Sequence, residues 1–405
     1  MIPRHVPALA LGTLALGVAE FSMMSILLPV ADDLGVRGPD DGHFISAYAA
    51  GVCAGVLIMA AAARKMPLKT LLLIIVGIIT LGNTLTVFVG SYHLMLFSRF
   101  IAGLPHGAYF GAAGVLCTQL AEPGKVSRDM CLMVAGMTIA NLAGVPLASF
   151  LAWAVSWRAA FAIAAAAALI TFAAIRITVP KVPALPDSGF AAQFRFLRSL
   201  EPWLVLGAIG LGNGGFFAYY SYVNPVMEHV AAVPASMMSV VITLAGAGMV
   251  LGNLFCAKIS SSFSDESLAA AAGQGVLLLS LASVFFLAHW SPAAIALTTL
   301  AAGCVFFISG PEQVLMIRNA KEGQLLAVSL AQVSFNAGNA VGAWLGGLPI
   351  DAGKAANWAA MPGFFLALAG FGLLFVNRLI HRVREAERTA GRIAALKDQI
   401  QSKAP

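Results

Sequence analysis

The residues able to do chemistry in this chain stand where water is scarce. Glu20 lies in LGVAEFSMMSILLPVADDLGV, inside an apolar run of about 26 residues from Val6 to Ala31 that is long enough to cross a bilayer. A carboxylate at that depth costs at least about 2.5 kcal/mol. It is retained either as a hydrogen-bonded structural group or as a carboxyl that takes up and gives back a proton. Thr13, Gly17, Glu20 and Met24 share one helical face, the face with the smallest and most polar members, which favours a cavity and the proton-exchanging reading. A later run carries Arg99 and, seven residues on and therefore on the same face, His106, followed by Phe110. A buried arginine needs an acceptor, so Arg99 reads either as the partner of a carboxylate or as an inter-helix tether. His106, between Pro105 and Gly107, either touches proton or solute or satisfies a kink.

Two further stripes carry no charge. Asn213, Phe217, Tyr220 and Asn224 recur at helical spacing in one run, and Ser329, Gln332, Asn336 and Asn339 in another. Amides and phenols offer donors and acceptors without fixing charge, which suits a polar, uncharged solute. Hydrogen bonding between helices is the alternative for single members. Glu20, Arg99 and His106 are thus the candidate proton-coupling residues. Thr13, Met24, Phe110, Asn213, Phe217, Tyr220, Gln332 and Asn336 are the candidate solute contacts. Glu312, in SGPEQVLMIR, reads as a gate or surface group near the end of its run. Neither HExxH, GxSxG nor GxxxxGK[ST] occurs, which argues against an intramembrane enzyme and an ATP-driven pump. The five cysteines all fall in apolar segments without ligand spacing, so no metal and no cofactor is expected.

The elements that must position these groups are membrane helices. The chain is 60% hydrophobic and 10% charged, with a mean hydropathy of +0.87, whereas a soluble domain carries roughly 25% charged residues. Twelve apolar runs of bilayer length predict an all-α polytopic membrane protein. Of the 24 Lys and Arg residues, 20 fall on the side of the N-terminus, three on the other (Arg37, Arg158, Lys354), and Arg99 lies within a helix. Both termini are therefore expected in the cytoplasm, and the net charge of +6 serves orientation, with no nucleic acid as partner. The polar segment VPKVPALPDSGFAAQFRFLRSLEP divides the runs six and six. It gives a bundle over 1–180, a linker over 181–202, a second bundle over 203–380 and an amphipathic tail over 381–405 on the inner leaflet. The halves echo one another: LPVADD resembles NPVMEH at an offset of 196, and ANLAGV resembles GNAVGA at 198, which indicates a duplicated six-helix unit.

With twelve spans as six plus six, RFIAGLPHG in the fourth and GMTIANLAGVPLAS in the fifth, the chain resembles the major facilitator superfamily. Within it the chain is similar to the twelve-span drug:proton antiporter family. AEFSMM, ISAYAAGV, GLPHGAYFG, FRFLRSLEPWL and GMVLGN are closest in pattern to the arabinose or sugar efflux permease branch. The resemblance implies two six-helix bundles related by pseudo-symmetry, export by alternating access, and a span-four arginine, Arg99, that assists proton release from a carboxylate. It also implies a conformational role for the span-five antiporter motif, here carried by Gly136, Gly144 and Pro146. The family loop G-x-x-x-D-R-x-G-R-K reads AAAARKMPLK in this chain. It keeps Lys65 and Lys69 but puts Arg64 where the aspartate would stand, so the gating lock there must differ.

These readings predict a monomeric, proton-coupled exporter in a bacterial-type inner membrane, multi-pass, working on a small polar solute such as a sugar. Multidrug, siderophore or nucleoside export and a non-transporting membrane sensor are the alternatives.

Overall fold

Hydrocarbon offers no water to backbone N–H and C=O groups, so an apolar run has to close its hydrogen bonds within itself and becomes a helix. In the computed structural model, which describes residues 2–36, 42–62, 66–184, 189–259 and 265–401, this yields twelve membrane helices and, among the described residues, no strand. The first half holds α1 (His5–Ser25, continued by Leu27–Asp33), α2 (His43–Ala62), α3 (Leu68–Val87) and α4 (Tyr92–Gly103 and Pro105–Leu120). It ends with α5 (Val126–Ile139, Ala140–Gly144 and Val145–Ala154) and α6 (Arg158–Thr178). The second half holds α7 (Leu200–Tyr220), α8 (Met238–Ile259), α9 (Glu266–Leu287), α10 (Ser291–Asn319), α11 (Gln324–Asp351) and α12 (Ala360–Gln401). The tail does not form an element of its own, because α12 runs through residue 381 without a break.

Nine of these helices are long and apolar enough to cross a membrane by length and composition alone, and α2 is a shorter apolar helix. The two that fall short, α7 and α11, are those diluted by glycines and by the amide stripes. A helix lined with polar groups on one side loses mean hydropathy and still spans when its neighbours cover that side.

Two helices bend for reasons visible in their residues. In α4, Pro105 has no N–H, and the chain turns at Leu104 between its two segments. In α5, Pro146 likewise removes a donor, and the preceding turn widens to π-helix over Ala140–Gly144, with Val145 N–H reaching back to Ala140 O.

Within each half the first and fifth helices approach through small residues. A side chain on Gly136 would strike Ala10 O and Thr13 Oγ1 of α1, and one on Gly144 would strike Val18. In the second half a side chain on Gly338 would meet Gly210 O, and one on Gly342 would meet Gly214 O. Gly144 and Gly342 are 198 residues apart and Val18 and Gly214 are 196 apart, so the contacts repeat at the same offsets as the sequence motifs.

The halves meet on one side of the membrane. Gly107 O accepts a 2.8 Å hydrogen bond from Ser329 Oγ, Ser127 Oγ is 3.2 Å from Glu266 Oε1, and the sulfurs of Cys131 and Cys256 lie 3.0 Å apart. These positions run from mid-membrane to the face that carries both chain ends. Among the described residues the principal packing between the halves is of α2 and α4 on α11 and of α5 on α8 and α10. The linker lies under the closed side, where Arg195 pairs with Glu322 at 3.1 Å.

Candidate functional site

In the first half α2 crosses α4 at Gly51, Gly55 and Gly103, and a side chain on any of the three would run into the backbone of the other helix. Backbone packed directly on backbone brings Tyr48 of α2 over to α4, where its Oη lies 2.9 Å from His106 Nδ1. Nδ1 accepts from the phenol in one tautomer and donates to it in the other. The same Nδ1 is 3.7 Å from Glu20 Oε2 of α1. Glu20 keeps 13% of its side-chain surface exposed while His106 keeps 1%, so the acid is the more accessible of the two. His106 also meets Gln332 of α11, which ties the group to the other half.

Arg99 is buried at 1% exposure. Its guanidinium carbon lies 4.6 Å from the centroid of the Tyr48 ring and 5.3 Å from that of Phe161, while Nε and Nη1 make no hydrogen bond. Two ring faces offset part of the cost of burying this cation. Its charge acts on Glu20 and Tyr48 through space, and the side chain in contact with Glu20 is His106.

The other sequence candidates divide by where they point. Thr13, expected to meet solute, is fully buried and donates to Met133 O at 2.6 Å and Ala10 O at 2.9 Å, so its hydroxyl holds α1 to α5 instead. Phe110, also expected to meet solute, is buried beneath His106 and stacks on it at 5.3 Å, a supporting position. Met24 lies one turn beyond Glu20 and is exposed. Phe217 and Tyr220 are half-buried. Phe217 stands edge-on to Phe335 at 5.8 Å, and Tyr220 stacks on Phe216 at 4.7 Å. Asn336 donates to Gln332 O of its own helix at 2.9 Å, leaving its amide oxygen for other partners. Asn213 is buried and turned toward Glu312. Lys69 Nζ donates to Arg176 O at 2.9 Å and Val179 O at 2.6 Å, closing the exposed carbonyl end of α6, whereas Lys65 lies outside the described residues.

Two residues were misread or missed from sequence. Glu312, read as a gate or surface group, is 2% exposed. Its placement follows from Pro311 lying inside a 29-residue helix that continues through Arg318, so the acid sits well within the span. Tyr48 carried no signal beyond its place in ISAYAAGV, since a single tyrosine in an apolar run is ordinary. The glycines flanking it, Gly51 and Gly55, were the legible hint of a close helix crossing.

An apolar groove of about 1170 Å³ lies apart from these groups, between α8, α9 and α10, with Leu251, Phe255 and Phe307 among its walls. It contains no charged or amide side chain and has the chemistry of a surface against acyl chains.

A model of the Major Facilitator Superfamily matches residues 9–325. The chain belongs to that superfamily. It is 36% identical over 380 residues to AraJ of Escherichia coli (strain K12), covering 94% of this chain and 96% of that one. It is 26% identical over 286 residues to the purine ribonucleoside efflux pump NepI of Escherichia coli O1:K1 / APEC, 70% of each chain. The fold is similar to that of the fucose transporter FucP in its outward conformation, with a TM-score of 0.75 at 16% identity, over 92% of this chain and 98% of that one. This superfamily member is thus a multi-pass membrane transporter and not an enzyme.

Proposed function

We propose that the protein is a proton-coupled exporter of a small polar solute, with Glu20 as the proton-binding carboxyl and both termini in the cytoplasm. The observation that carries this reading is the contact of Glu20 with His106 and of His106 with Tyr48 and Gln332. A partly exposed carboxyl is joined by hydrogen-bonding groups to a side chain of the opposite bundle. A proton arriving at Glu20 removes its charge and changes what His106 can donate and accept. The Gln332 contact then differs between protonated and ionised states, and the two halves feel the difference. Asn336, Asn339 and Tyr220, all half-buried on α11 and α7, supply neutral polar groups fitting a hydroxylated solute such as a sugar or nucleoside, and the name of NepI points the same way.

The aromatic wall of Phe216, Phe217, Tyr220 and Phe335 favours a second reading, export of amphiphilic compounds. Thermal-shift screening of the purified protein against sugars, nucleosides and lipophilic cations separates the two, because a ligand bound only by the folded state raises its stability. In proteoliposomes loaded with the best ligand, Glu20→Gln is expected to abolish solute-driven proton flux while leaving the protein folded. Unchanged flux would remove Glu20 from the coupling role.

A further inference from the structure

The second half contains a buried carboxyl that the group around Glu20 does not use. Glu312 follows Pro311 in α10. The crossing of Gly55 with Leu104 in the first half is repeated by that of Gly252 with Gly303 in the second, so α4 and α10 correspond at an offset of 199 and Glu312 lies about two turns beyond the residue that matches His106. Glu312 faces Asn213 of α7, the first helix of its half. At the offset of 196, Asn213 corresponds to Gly17, one turn below Glu20. Each half thus holds a polar pair between its first and fourth helices, at different depths and with the acid on opposite members of the pair.

The second pair is short of donors. Glu312 Oε1 and Asn213 Oδ1 are both buried without a hydrogen-bond partner, and both are acceptors. Asn213 has already committed an amide N–H to Ile209 O at 2.8 Å. Among the described residues no cation acts on Glu312. Among the described residues the nearby basic side chain of the same helix, Arg318, is paired with Glu266 of α9. From α5 and α8 the groups facing this stretch of α10 are the thiols of Cys131, which abuts Gly310, and Cys256. From α9 the polar side chain is Gln274, bonded to Ala367 O at 3.3 Å, and from α11 none is an acid or base. One proton on the carboxyl would supply a donor where both unpartnered atoms are acceptors.

We propose that Glu312 is a second proton-binding site, in the carboxy-terminal bundle, with Asn213 as its hydrogen-bonding partner. It takes up one proton as the carboxylic acid and releases it as the carboxylate. Two carboxyls, one per half, then titrate in a transporter whose halves move against each other. This deepens the proton-coupled reading and is tested without it, because proton binding is read on the purified full-length protein with no solute present.

The experiment is pH-difference infrared spectroscopy in the region of the protonated carboxyl C=O stretch, on the wild type, Glu20→Gln, Glu312→Gln and Glu312→Asp. Glutamine keeps the shape and one acceptor toward Asn213, and aspartate keeps the carboxyl on a shorter stem. The expected result is the loss of one titrating band in Glu312→Gln, distinct from the band lost in Glu20→Gln, with a displaced band retained in Glu312→Asp. A Glu312→Gln spectrum that superimposes on the wild type, from protein that remains monodisperse, overturns the proposal. So does a Glu312 that stays ionised across the whole titration, which would mark a site for a cationic group in place of a proton. If these bands behave as expected and Glu20→Gln nonetheless transports normally, the proton site stands and the assignment of Glu20 falls.

Discussion

Gly111 is where the closed side can be pried open by one methyl group. A Cβ there would lie 2.6 Å from Leu325 O and 2.7 Å from Ser329 Oγ, both on α11 of the opposite half, against ordinary contact at 3.4 Å or more. The nearest obstruction is backbone, so α11 must back away by about 0.8 Å, and the 2.8 Å bond from Ser329 Oγ to Gly107 O is stretched in doing so. Overpacking of this kind costs about 1–3 kcal/mol. The three nearest atoms all belong to the other bundle, so the cost falls on the closed state and vanishes when the halves part. Gly111→Ala should therefore raise the ratio of open to closed molecules at this face by about 5- to 150-fold. Cys131 and Cys256 report it. Both are fully buried in the closed interface, and their alkylation by a maleimide proceeds through the open state at a rate set by its population. With Cys53, Cys117 and Cys304 replaced by alanine, labelling should accelerate by that factor. Gly82→Ala is the control: its Cβ would lie 2.6 Å from Ala102 Cα of the same half, so it should lower thermal stability without accelerating labelling. Unchanged labelling in a well-folded Gly111→Ala protein would refute the reasoning, and faster labelling in Gly82→Ala would show that the assay reads general loosening.

Tyr48→Phe removes the hydroxyl 2.9 Å from His106 Nδ1 and leaves the ring under Arg99, at a cost near 0.5–1.5 kcal/mol. The expected outcome is a transport rate lowered about 2- to 10-fold with an altered pH profile, and an unaltered profile would take Tyr48 out of the proton-handling group. Arg99→Lys keeps the charge and loses the planar contact with two rings, so melting temperature should fall while solute-driven proton flux survives in part. Loss of flux as complete as in Arg99→Ala would show that the guanidinium shape, and not the charge, is what transport requires. Thr13→Val deletes the bond to Met133 O and should cost about 0.6 kcal/mol of stability with ligand affinity unchanged; weakened affinity would return Thr13 to the solute site.

The twelve helices were legible because the bilayer imposes one length and one composition on every span, whereas the partners of the small residues, α1 for α5 and α7 for α11, emerge only from the structure. The polar site was legible only in part, for a reason that differs from residue to residue. Glu20, Arg99 and His106 stand out because hydrocarbon makes an ionisable group conspicuous, and the structure does gather them around Tyr48. Helical periodicity then placed Thr13 on the face of Glu20, and the angle was right. A short hydroxyl on that face is caught by α5, which approaches as closely as Gly136 allows, while the longer glutamate extends to His106. Angular position on one helix cannot say which neighbour stands opposite at each depth, and that is set by the neighbour's own small residues. Glu312 was misjudged through the opposite error, in depth. It was read as a gate or surface group near the end of its run, yet Gly310 serves to admit Cys131 of the other half, and the helix continues for two more turns. Residues that look like terminators in a soluble helix are, at this interface, what allows two bundles to close on each other. An acid placed beside them is carried into the membrane and left with one amide for company.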